Sequence, residues 1–173
     1  MVHALKTLTF VYVQREDRVM AAVNAGHADA WSCWLTRRLS LAILERAPQY
    51  IESKSDLTQR APANLRAEMA SFEREAAIAK TAGAMSVTPP EILQQSANVA
   101  GLADRLSITQ QGEGFRFELL DLSGNGAAAV FRPTELQRVL QMLQGEVVKA
   151  IWVVPAAHPQ TAAASADPKL LRN

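Results

Sequence analysis

One cysteine in 173 residues, three histidines, 6% aromatic residues and a net charge of only +1 are this chain's scarcities. Each closes off a class of function. With Cys33 alone no intramolecular disulfide can form, so a reducing compartment and a cytoplasmic location are expected. Lys plus Arg nearly cancels Asp plus Glu, which leaves no whole-protein field to attract nucleic acid or an anionic membrane. Any such binding must come from a local patch.

No run approaches the ~20 apolar residues of a membrane span, and Met1 to Lys6 lacks the charged-then-apolar layout of a signal peptide. No membrane partner is expected. His3, His27 and His158 are scattered rather than spaced as metal ligands, so neither a metal nor a cofactor is expected. Cys33 lies between two tryptophans in an apolar run, where a thiol is a small core residue rather than a nucleophile. Glu16 with Asp17 falls in a polar break, and Glu73 with Glu75 on a charged helix face, so no carboxylate pair converges for acid–base work. The glycines near 112 and 124 join two strands, whereas phosphate-cradling loops run from a strand into a helix. No catalytic residue is assigned, and the chain is read as non-enzymatic.

What the chain does have is pattern. Thr7 to Val13 alternates Leu8, Phe10 and Tyr12 with Thr9 and Val11, and Arg18 to Val23 returns after the Arg15-Glu16-Asp17 break. Ala30 to Leu35 makes a third short strand, with Trp31 and Trp34 on opposite faces. Thr36 is placed to cap a helix over 36–51, on which Leu39, Ile43 and Ala47 recur at helical spacing and Pro48 is expected to end or kink the run.

Near the other end the same order returns. Leu106 and Ile108 lead through a Gly-rich turn to Phe115-Arg116-Phe117-Glu118-Leu119, then through Ser123-Gly124-Asn125-Gly126 to a strand ending at Phe131. Pro133 suits the first turn of a helix whose stripe runs Leu136, Leu140, Leu143 and Val147. Laying Trp34 on Phe131 sets Leu39 on Leu136 and Ile43 on Leu140. Between the two ends, Ala61-Pro62 opens a helix expected over 62–80, whose narrow stripe of Leu65, Met69, Phe72, Ala76 and Ala79 can serve one partner surface only. Residues 81–101 read as a linker with one helical turn after Pro90, and 155–173 as a disordered tail.

The fold expected is α+β: two pseudo-repeated antiparallel ββ(β)α modules, 5–51 and 102–152, with a helical segment over 52–101 between them. All three belong to one compact domain, 1–154, a size that buries roughly 70% of the unfolded chain's surface. Sheet edges and the narrow stripe both call for a partner, so a protein partner or a homodimer is expected. The one constellation with a binding flavour is Trp31 with Arg37 and Arg38, extended by Arg15 and Arg18, because aromatic faces beside guanidinium groups suit unpaired bases and phosphates.

Strands leading into a single amphipathic helix, used twice, resemble the Pur-alpha, Whirly and positive-cofactor coactivator type of single-strand nucleic-acid binders. The likeness is sharpest from Phe115 to Leu143, and it implies single-stranded DNA or RNA as an alternative ligand. The chain departs from that group in having three evident strands per unit, a long helix between units and no basic excess. Trp34-Leu35-Thr36-Arg37-Arg38 with its downstream helix also resembles small bacterial proteins, a likeness that implies no activity.

Overall fold

The structure, a computed structural model, describes residues 1–81, 88–98 and 100–152. The tail expected at 155–173 lies outside them, as does part of the expected linker. In chain order the elements are β1 (Val2–Ala4), β2 (Leu8–Val13), a 3-10 turn (Gln14–Glu16), β3 (Arg18–Val23), β4 (Trp31–Leu35), α1 (Arg37–Glu52), α2 (Asp56–Arg60), α3 (Arg66–Thr81), α4 (Pro90–Asn98), β5 (Gly101–Gln111), β6 (Gly114–Asp121), β7 (Gly126–Phe131) and α5 (Pro133–Lys149).

The strands form one mixed sheet in the order β1-β7-β6-β5-β4-β3-β2, so the fold is α+β. β2, β3 and β4 pair antiparallel, and so do β5, β6 and β7. The two triplets meet through a short parallel contact in which Cys33 faces Gly101 and Trp34 faces Leu102. β1 adds a second parallel pair at the outer edge of β7.

Alternation sorts each strand between two faces. The near face carries Phe10, Val19, Ala21, Cys33 and Leu35 from the first triplet and Phe115, Phe117 and Leu119 from the second. These pack in one cluster with Ile43, Ala47 and Ile51 of α1 and with Leu136, Val139, Leu140, Leu143 and Val147 of α5. α1 starts where expected, because the Thr36 hydroxyl accepts from the Leu39 amide at 3.2 Å. It does not stop at Pro48. It runs on to Glu52, since Ala47 and Ile51 sit on its buried side and anchor the last turn in the core. α5 opens on Pro133, with the Arg132 amide donating to Glu135 Oε2 at 2.8 Å.

Two side-chain staples hold the edges. Asn24 is fully buried in a left-handed conformation (φ 50°); its Oδ1 accepts from the amides of Lys6 and Thr7, and its Nδ2 donates to the Ala4 carbonyl and to Asp29. At the other end of β2, Glu146 of α5 accepts from the Tyr12 amide at 2.8 Å, and Asp17 accepts from both Tyr12 Oη and Trp152 Nε1. A carboxylate thereby occupies one donor of an edge strand that would otherwise invite another chain.

Three further expectations are corrected, and the α3 stripe is located. The helix expected over 62–80 is the later, shorter α3, preceded by the separate α2, whose first turn is capped by Ser55. The turn expected after Pro90 is the nine-residue α4, packed on the far face of β3 and β4, where Ser32 Oγ donates to the Ser96 carbonyl at 2.7 Å. The α3 stripe, expected to serve one partner surface, is not the face that packs on the rest of the chain: Ala70 and Ala77 are buried, while Leu65, Phe72 and Ala79 stand exposed. The pairing of Trp34 with Phe131 also fails on parity. Phe131 packs against the near-face core, whereas Trp34 alternates with Cys33 and Leu35 and so belongs to the far face.

Candidate functional site

The face of α3 that turns toward α5 walls one side of a concavity. α3 lies against α5 through Ala70 and Ala77, and α2 is tied beneath it because Glu73 accepts from Ser55 Oγ at 2.6 Å and Thr58 Oγ1 at 2.8 Å. Across from them stand the β5–β6 turn at Gly112 and Glu113 and the first turn of α5 at Pro133 and Thr134. The space between is a groove of about 620 Å³ with Ile51, Ala70, Ala77 and Phe115 in its lining. Leu57 and Phe72 also line it, 61% and 66% exposed. Large apolar side chains that open to water beside a concave surface mark a contact site more often than scattered ones do.

Its rim carries charge of both signs. Lys54 and Lys80 line it, with Lys54 over the Tyr50 ring at 5.7 Å and Tyr50 edge-on to Phe115. Asp56 and Glu113 enter no ion pair among the described residues. A second, smaller crevice of about 290 Å³ lies between α1, α3 and α5, where Arg74 pairs with Glu52 among the amides of Gln49, Gln141 and Gln144.

The residues singled out for nucleic acid divide. Arg15 lies in the 3-10 turn, Arg18 opens β3 beside it, and Arg37 and Arg38 start α1 directly after β4. Val19 pairs with Leu35, so all four arginines belong to the same end of the first triplet, and all four are exposed. Trp31 is not with them. It pairs with Val23 at the other end of β4 and packs, half-buried, against the near-face core. Trp34, half-buried on the far face beside Met20, is the tryptophan nearer that end.

Cys33 is fully buried, and burial with the nearby Asp121 carboxylate pushes its thiol far above the ordinary value. It is a core residue here. Among the described residues no group of three or more His, Cys, Asp or Glu is placed to hold a metal ion, and no helix is long and apolar enough to cross a membrane.

The groove itself was not legible in the sequence, because Leu57, Gly112 and Thr134 are far apart along the chain. The α3 stripe was its one visible signal. Comparison with protein-family models, with curated proteins and with solved structures finds no match to this chain.

Proposed function

We propose that this chain is a non-enzymatic interaction protein that works in the cytoplasm by holding a protein partner in the groove beside α3. The observation that carries this is the exposure of Leu57 and Phe72 at that groove. Burying two such side chains is worth roughly 1.5–3 kcal/mol each, enough for them to act as anchors of a contact. Affinity enrichment with the wild type and with a Leu57→Ser, Phe72→Ser variant tests it. Partners retained by the wild type and lost by the variant are expected; identical sets from both would remove the groove from the account.

A single-strand nucleic-acid binder of the Pur-alpha and Whirly type is the second reading, and the gathering of Arg15, Arg18, Arg37 and Arg38 at one end of the sheet favours it. Trp31 would then act away from the arginines. Because phosphate contacts release counterions, fluorescence titration with short single strands should show binding that weakens steeply with salt and with Arg37→Ala, Arg38→Ala. No binding at low salt would exclude it.

We also propose that the two β-β-β-α units are copies of one module. In support, one constant shift along the chain sets Phe10 on Leu106, Val19 on Phe115, Ala21 on Phe117, Val23 on Leu119 and Leu35 on Phe131, all near-face positions. Without a gap it then sets Thr36 on Arg132 and the buried Ile43, Ala47 and Ile51 on Val139, Leu143 and Val147.

A further inference from the structure

α1 and α5 meet α3 over polar rows as well as apolar ones. Along α5, Gln137, Gln141 and Gln144 recur at helical spacing on the flank of the apolar stripe, and along α1 Glu45, Gln49 and Glu52 do the same. Both rows line the crevice of about 290 Å³ to which α3 contributes Arg74 and Ile78.

Two of its polar groups are left open. Gln137 is 8% exposed, and its side-chain amide, able to donate twice and accept twice, makes no hydrogen bond among the described residues. Arg74 pairs through one Nη with Glu52, while its Nε is buried without a hydrogen-bond partner. Pro48 adds a third vacancy, because it has no N–H and the Leu44 carbonyl one turn back therefore lacks its intrahelical donor. Buried groups left open cost stability, and a native crevice fills them with water or a ligand.

Charge and shape narrow what fits. Two carboxylates, Glu45 and Glu52, stand against the single guanidinium of Arg74 in the lining, so the crevice does not attract an anion. Leu44, Pro48, Ile78 and Leu140 supply apolar walls for the faces of a flat ring. A glutamine amide is matched in two hydrogen bonds by an edge that sets a donor beside an acceptor, as when Gln reads a base. The volume sits at the low end of the ~300–1,000 Å³ typical of ligand pockets, which limits the occupant to about one ring.

We propose that the crevice between α1, α3 and α5 binds a small neutral planar molecule with an amide edge, either a lactam ring of the pyrimidine-base kind or an aromatic carboxamide. Gln137 pairs with that edge, and Arg74 Nε donates to a further acceptor on the ring. This role is independent of the groove. Gln137 and Glu52 line both spaces, but Arg74, Leu44 and Leu140 line the crevice alone.

The test titrates uracil, nicotinamide and nicotinate into the isotope-labelled full chain and follows nitrogen–proton correlation spectra, in which Gln side-chain amides and Arg Nε–H groups both give signals. Uracil, nicotinamide or both should produce saturable shifts at the Gln137 amide and at Arg74 Nε–H, with a Kd of about 1 mM or tighter. Binding of uracil alone assigns a lactam, and of nicotinamide alone a carboxamide. Nicotinate, which carries a carboxylate on the same ring as nicotinamide, should bind about tenfold or more weakly. Gln137→Leu removes an unpaired buried amide at similar volume, so it should keep the fold and weaken binding about tenfold or more. Arg74→Lys keeps a charge beside Glu52 without the Nε–H and should weaken it several-fold. The Leu57→Ser, Phe72→Ser variant should bind as the wild type does.

No saturable shift with either neutral ligand, or nicotinate binding as well as they do, would overturn the site and leave the crevice to water. So would unchanged binding in both Gln137→Leu and Arg74→Lys. Binding lost in Leu57→Ser, Phe72→Ser would overturn it by placing the ligand in the groove.

Discussion

β3 and β6 occupy the middle of their triplets, yet five of the six residues of β3 are buried while β6 alternates. The difference lies on the far face. Over β3 and β4 that face is roofed by α4, and Met20, Ala22 and Ser32 lie beneath it. Over β5, β6 and β7 it carries Arg105, Ser107, Thr109, Arg116 and Glu118, with Arg116 and Glu118 paired at 3.0 Å. In the proposed register Met20 matches Arg116 and Ala22 matches Glu118. One strand plan thus serves two environments, and a strand covered on both sides loses the polar half of its alternation.

If the near faces are equivalent, they should cost alike. Phe117→Ala is expected to destabilise by about 3–5 kcal/mol and Leu35→Ala by about 2–5 kcal/mol, both read from urea denaturation. A near-face change that is severe in one triplet and mild in the other would break the comparison. A somewhat smaller loss is expected where the halves differ at the turn after the middle strand. Asn24→Ala removes the acceptor of two amides and the donor to a carbonyl, and should cost about 2–4 kcal/mol by the same assay. The Asp121 carboxylate does related work in the second triplet, accepting from Ser123 and Asn125, but in a more exposed position where Asp121→Ala should cost less.

How much of this could be read beforehand follows from the same contrast. Phe115 to Leu119 announces itself because water on one face enforces alternation, and Thr36 is legible as a cap because its role is local. The parallel join of β4 to β5 rests on two residue pairs far apart in sequence, so no local pattern marks it. β1 was missed likewise, since its only partner is β7. Phe72 was legible as part of a stripe that needs a partner surface, but apolar spacing on a helix does not say whether that surface belongs to the same chain. The arginines were legible as a cluster; that Trp31 sits at the other end of β4 follows only from pairing.

Two smaller effects sharpen the account of the first triplet. The hydrogen bond from Lys6 to Asp29, more than their charge attraction, holds the Asp29 carboxyl below its ordinary value of 3.8. A depressed value means stability present above the unfolded pKa and lost as pH falls through the folded one. Asp29→Asn should therefore lower stability at neutral pH, flatten the acid side of the stability–pH curve below about pH 4, and converge on the wild type in acid. In the native chain Cys33 should react with a thiol reagent at pH 8 far more slowly than in urea, because it is buried and its thiol pKa is raised.

The contrast between the two far faces is tested most directly by exchanging their central residues and measuring unfolding free energies. Met20, 1% exposed beneath α4, cannot accept a charge, so Met20→Arg should cost about 3 kcal/mol or more. Arg116→Met surrenders only a surface ion pair and should change stability by about 1 kcal/mol or less. Comparable losses from the two exchanges would contradict the account.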